Sequence, residues 1–162
     1  MAGRILEKEV VVNAPAEAAW DAWTTAEGIV RFLAPAVSAL EIRPNGPYEV
    51  FFNPQDPPGL RGSEGCRILS YVPYRMLSFT WGAPPDFPVA RREIAQWVVL
   101  NFEPFAEGRT KVKLTELGFK DGEEGEGVYR YFDRAWEVVL RRLARSFELG
   151  PIDWSDPWRP PE

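Results

Sequence analysis

Residues 125–149 read GEGVYRYFDRAWEVVLRRLARSFEL, and this stretch decides how the rest of the chain must be arranged. Val128, Phe132, Trp136, Val139, Leu143 and Phe147, with Ala135, Leu140 and Ala144 beside them, follow the i, i+3, i+4, i+7 spacing of one apolar helix face. Arg130, Asp133, Arg134, Glu137, Arg141, Arg142 and Arg145 fill the other side. At 1.5 Å per residue such a helix is a rod of roughly 36 Å. Gly150-Pro151 ends it. Its apolar stripe must be covered, and the chain ahead of it is strand-like. The pattern therefore predicts a long helix lying across a curved antiparallel sheet. A helix held against a concave sheet can leave a gap, and whether side chains or a ligand fill it becomes the functional question.

The totals narrow the function classes. At 162 residues the chain suits one domain with one sizeable core. With 24 acidic against 19 basic residues it lacks the basic excess that a nucleic-acid surface or an anionic membrane would require. No run of 18 apolar residues occurs, so no membrane insertion is expected. The N-terminal MAGRILEKEVVV reads as a charged strand rather than a signal peptide, and the lone Cys66 has no internal disulfide partner. Together these point to the cytoplasm. The chain contains no histidine, which removes Ser-His-Asp and Cys-His catalysis, the zinc proteases and the two-His iron sites. No cofactor and no metal are expected. Any chemistry would fall to carboxylates, Tyr, Lys, Arg or Cys66.

Residues 5–12 read as a first strand, and Asn13-Ala14-Pro15 turns the chain into a short helix over 16–24. Thr25 is placed to cap a second helix over 26–33. A meander follows, with strands over 37–43, 48–52, 62–71, 76–81, 92–102 and 110–117. Asn45-Gly46 signals a tight hairpin. Residues 53–61 and the proline-rich 82–90 read as loops, and 121–127 as a flexible acidic hinge. Residues 1–150 form one domain, and 151–162 (PIDWSDPWRPPE) a tail whose Trp154 and Trp158 are expected to pack on the body.

The order β-α-α-β6-α is that of an α+β helix-grip fold. The chain resembles the AHSA-type branch, named after the activator of the Hsp90 ATPase, of the START/SRPBCC superfamily. The resemblance is carried by Ala14-Pro15-Ala16-Glu17 with Trp20, Pro44-Asn45-Gly46-Pro47-Tyr48 and Pro73-Tyr74-Arg75-Met76-Leu77 with Phe79-Thr80-Trp81. Gly108-Arg109-Thr110 with Val112 and Leu114, and Ala135-Trp136 with Leu140 and Leu143, complete it. No single motif is specific; the ordered set over residues 4–148 is. The resemblance implies a hydrophobic cavity between sheet and C-terminal helix. The superfamily includes lipid carriers, hormone receptors, aromatases and cyclases, and proteins that sequester toxic ligands. The co-chaperone role goes with an additional N-terminal domain that these residues do not contain. Where the family often has histidine, near the end of the last strand, this chain has Glu116, so that histidine's role does not carry over.

Trp20, Phe52, Leu77, Phe79, Trp81, Phe132 and Trp136 are candidate cavity walls, and alternation adds Val98, Leu100 and Leu114 from the last strands. Seven Trp, five Tyr and ten Phe suit either a filled core or a pocket for a flat apolar ligand. The same alternation turns Glu116 inward, where it either pairs with an arginine or sits in apolar surroundings with a raised pKa. Tyr48, Tyr129 and Tyr131 could offer hydroxyls at a rim, Cys66 reads as a small buried hydrophobe and Arg91-Arg92 as a solvated pair. The expected function is binding or carriage of a hydrophobic small molecule. The alternatives are a cyclase- or hydrolase-like enzyme using Glu116 and Tyr129, or a co-chaperone-like interaction module. A chaperone or a second copy of the chain is left open as protein partner, with no residue pattern marking a surface for either.

Overall fold

β1 (Leu6–Val12) leads through Pro15 into α1 (Ala16–Thr24), and α2 (Ala26–Phe32) follows at once. Thr25 Oγ1 accepts the Gly28 N–H at 2.9 Å, the cap that the sequence calls for at this position. The two helices pack so closely that a Cβ on Gly28 would lie 2.2 Å from the Asp21 carbonyl oxygen. The chain then runs through β2 (Ala36–Leu40), β3 (Tyr48–Phe51), β4 (Ile68–Val72), β5 (Met76–Trp81), α3 (Pro88–Glu93), β6 (Gln96–Ala106), β7 (Arg109–Leu117) and α4 (Glu123–Leu149). The structure, a computed structural model, describes residues 3–156. Trp158 and the end of the tail lie outside the described residues.

Five strands form an antiparallel sheet in the order β1-β7-β6-β5-β4, and β2 and β3 form a separate pair. Residues 61–67 connect the two without regular strand geometry. Bridges join Pro47 to Arg67 and Phe51 to Gly62. Ser63 Oγ stands in for a ladder bond here, accepting the Val50 N–H at 2.8 Å and donating to the Tyr48 carbonyl at 2.9 Å. This curved antiparallel sheet against a long C-terminal helix is the α+β helix-grip arrangement. Val98, Leu100, Phe102, Val112 and Leu114 are buried, as are Val128, Phe132, Trp136, Val139, Leu140 and Leu143 of α4, and all belong to one core. Burying each such side chain is worth about 1.5–3 kcal/mol.

Four local expectations are corrected. The acidic 121–127 segment is not a hinge, because α4 already begins at Glu123; Glu123, Glu124 and Glu126 occupy its first turn, where negative charge suits the helix dipole. The 82–90 segment is only partly loop. Pro88 opens α3 at the one helical position where a missing N–H costs nothing. The strand read over 62–71 shortens to β4, because Ser63 and a left-handed Gly65 (φ 85°) break its regularity. The strand read over 37–43 stops at Leu40, before the left-handed Asn45 (φ 61°) that turns the chain toward β3.

Candidate functional site

Much of the layer beneath α4 is core. Leu77, Phe79, Val98, Leu100 and Leu114 have no solvent exposure and pack as core. Tyr48 is not a rim residue but belongs to this layer. Its ring stacks on Phe79 at 4.3 Å, its hydroxyl donates to the Trp23 carbonyl at 2.7 Å, and burial pushes the phenol's pKa up.

The open space lies under one flank of the helix. A cleft of about 700 Å³ runs between α4 and the loops around residues 52–63 and 82–85, within the size range of small-molecule sites. Leu33, Trp81, Phe132, Trp136 and Val139 contribute its apolar lining. The rings form a continuous array: Trp81 to Trp136 at 5.7 Å, Phe132 to Trp136 stacked at 6.0 Å, and Phe52 edge-on to Trp81 at 6.2 Å. This is the geometry that aromatic pairs favour.

Arg91 holds the loop walls in place. From α3 it donates to the carbonyls of Gly59 (2.7 Å), Gly62 (3.0 Å) and Ala83 (2.9 Å), and it pairs with Glu64 at 3.3 Å. The reading of Arg91 as a solvated surface residue is thereby replaced; Cys66, by contrast, is buried as expected, and burial pushes its thiol up to about 12. Trp154 closes one end, with its indole donating to the Val30 carbonyl at 2.6 Å and the Arg142 guanidinium 5.6 Å above its ring. Tyr131 is exposed and lines the mouth.

Glu116 lies in the core layer and is completely buried. One carboxyl oxygen accepts the Trp136 Nε1–H at 2.7 Å, and the other has no hydrogen-bond partner among the described residues. The expected arginine partner is thus replaced by an indole. Burial raises the carboxyl pKa to about 8, and the indole bond opposes that rise.

Of the twelve residues singled out, Phe52, Trp81, Phe132 and Trp136 come together in the cleft. Leu77, Phe79, Val98, Leu100 and Leu114 back it as core, and Glu116 is joined to it only through Trp136. Trp20 packs elsewhere, against Tyr71, Tyr74 and Phe102. Tyr129 packs on Phe119 under the Arg4 guanidinium. The sequence reading missed the cleft's charged lining: Arg61, Arg91, Arg130, Arg134 and Arg142, with no carboxylate among the described lining residues. The signal was present as the i+4 ridge 130-134-138-142, three of whose four positions are arginine.

A long helix gripped by a curved antiparallel sheet, with a cleft under its flank, defines a helix-grip protein of the START/SRPBCC superfamily. Within it, the chain belongs to the family described as activator of Hsp90 ATPase homolog 1-like protein, whose model matches residues 13–148. Similar solved structures include a protein from Staphylococcus saprophyticus (20% identity, 93% of this chain and 96% of that one, TM-score 0.67). An AHSA1-like protein from Rhizobium etli is also similar (21%, 98% and 90%, TM-score 0.62). So is the Aha1 dimer from Colwellia psychrerythraea (15%, 91% and 98%, TM-score 0.63). At these identities the likeness is one of fold. No curated protein matches the chain. Among the described residues no helix is long and apolar enough to cross a membrane.

Proposed function

We propose that this protein binds, and holds or carries, a hydrophobic small molecule in the cleft under the flank of α4. The observation that carries this reading is a cleft of about 700 Å³ lined by Phe52, Trp81, Phe132 and Trp136. Rigid rings supply contact area with little entropy lost on binding, and the filled core behind them keeps the floor from collapsing. The reading favours binding over acid–base chemistry, because Glu116 does not line the cleft. The same proposal locates the protein in the cytoplasm, in keeping with a single buried, unpaired cysteine. The Colwellia protein is a dimer, which makes a second copy of this chain the first protein partner to look for, by light scattering.

Thermal unfolding with a panel of naphthalene- and biphenyl-sized compounds tests the proposal. A ligand at a hundred times its Kd adds about 2.7 kcal/mol of stability, which for a chain of this length raises Tm by roughly 5–10 °C. The variant Ala135→Trp fills the cleft from its α4 wall and should abolish the shift. A panel that gives no shift, or shifts that survive Ala135→Trp, would refute the proposal.

A further inference from the structure

Among the described residues, every charged side chain lining the cleft is an arginine, in a chain where acids outnumber bases by 24 to 19. An average surface of this protein would not give that result. Three acids of α4 are paired elsewhere: Glu126 with Arg4 at 2.6 Å, and Asp133 and Glu137 with Lys8 at 2.8 and 3.5 Å. Glu64, the carboxylate nearest in sequence to the 59–63 wall, points into the backbone N–H groups of Arg61 and Gly62 and to Arg91. Asp86 comes close enough to Tyr131 to help raise its phenol's pKa, after burial, but it does not line the cleft.

The arginines do not all do the same work. Arg91 is committed to loop carbonyls, and Arg61 donates through Nε to the Asp56 carbonyl at 2.8 Å. Arg130 and Arg134 differ. They sit four residues apart on the exposed side of α4, contribute to the cleft, and make no ion pair among the described residues. Like charges at that spacing repel by a few tenths of a kcal/mol. An anion between them would relieve that repulsion, and a guanidinium fork matches the two oxygens of a carboxylate.

We propose that the ligand is an anionic amphiphile, with a flat or branched hydrocarbon body on the Trp81–Phe132–Trp136 floor and a single carboxylate at the rim held by Arg130 and Arg134. This rests on the small-molecule reading given above and adds the charge and orientation of the ligand. A neutral molecule of the same shape gains only the floor, and a cationic one meets positive charge at the rim.

Isothermal titration calorimetry with 2-naphthylacetic acid, its methyl ester and 2-(2-naphthyl)ethylamine tests it. These share one aromatic body and differ in the head. The acid should bind about tenfold more tightly than the ester at low salt, as one charge-assisted contact provides, and the amine most weakly. Raising salt from about 0.05 to about 0.5 M should shrink the acid's advantage severalfold, because both arginines are exposed to screening. The double variant Arg130→Gln/Arg134→Gln should bring the acid's affinity down to that of the ester. Equal binding of acid and ester, tighter binding of the amine, or an acid affinity untouched by the double variant would overturn the anion proposal while leaving the cleft as a binding site. Failure of all three probes to bind would overturn both.

Discussion

The acids and the arginines on the solvent side of α4 meet different surroundings, and the protein treats them differently. On one flank, Glu126, Asp133 and Glu137 find their complements within the chain, in Arg4 and Lys8 at and beside β1. On the other, Arg130 and Arg134 line the cleft, and the nearby Glu64, which does not line it, is turned to backbone N–H groups and Arg91. The helix is therefore closed against the sheet edge on its acidic side and left electrostatically open on its basic side. Where a chain supplies the counter-charge, the result is a structural contact; where it does not, solvent or a ligand must. Trp136 lies between the flanks, with its indole N–H on Glu116 and its ring in the cleft.

The largest test concerns the layer beneath both flanks. Glu116 has a pKa of about 8 in the folded protein, against about 4.3 for a free glutamate. The folded state therefore holds a proton that the unfolded state has released across this interval. Stability is highest below the unfolded value, falls as pH rises toward about 8, and is flat above it. A tenfold difference in proton affinity between the two states corresponds to about 1.4 kcal/mol, so the loss is on the order of several kcal/mol. Glu116→Gln should remove most of this slope and be more stable than the parent at pH 9, measured by urea unfolding at pH 5 and 9. Equal slopes in parent and variant would show that the carboxyl is solvated, contrary to its complete burial. Next in size is Arg91→Ala. Loss of its bonds to three loop carbonyls leaves polar groups under-satisfied, at a cost of about 2 kcal/mol. It should also loosen the cleft walls, raising hydrogen exchange at residues 59–64 and 82–84 while leaving the β1 side unchanged.

Much of this comparison was legible in the residues. The period of α4, the Thr25 cap, the strand alternation around Val112 and Leu114, and the inward turn of Glu116 all follow from 3.6- and 2-residue repeats. The cleft was only half legible. Alternation tells which face of a strand is buried, but not whether the facing layer is filled, so Leu77, Phe79, Val98, Leu100 and Leu114 could not be told from ligand-contacting residues. The empty space is set by loops, and the loop geometry depends on long-range bonds such as Arg91 to Gly59, 32 residues away. No local pattern announces such a bond. Tyr48 illustrates the same limit, because its turn-flanking position suggested a rim, whereas its partner is the Trp23 carbonyl, 25 residues back.

The flanks themselves can be compared by paired substitutions. Lys8→Met removes the cation shared by Asp133 and Glu137. Lys8 is partly buried while the acids are about half exposed, so the expected cost is about 1 kcal/mol and it should shrink in high salt. The lysine's own pKa is raised, mainly by its bond to Asp133, so this contribution persists through neutral pH and is lost only as pH climbs past the raised value. The smallest effect belongs to the other flank. Arg130→Gln/Arg134→Gln should change urea stability by less than about 0.5 kcal/mol, with relief of like-charge repulsion favouring the variant slightly. A charge that can be removed without loss of stability on the cleft side, set beside one that cannot be removed on the β1 side, is what the asymmetry requires. If the double variant instead lost as much stability as Lys8→Met, the cleft-side arginines would already have partners in the chain, and the two flanks would be alike.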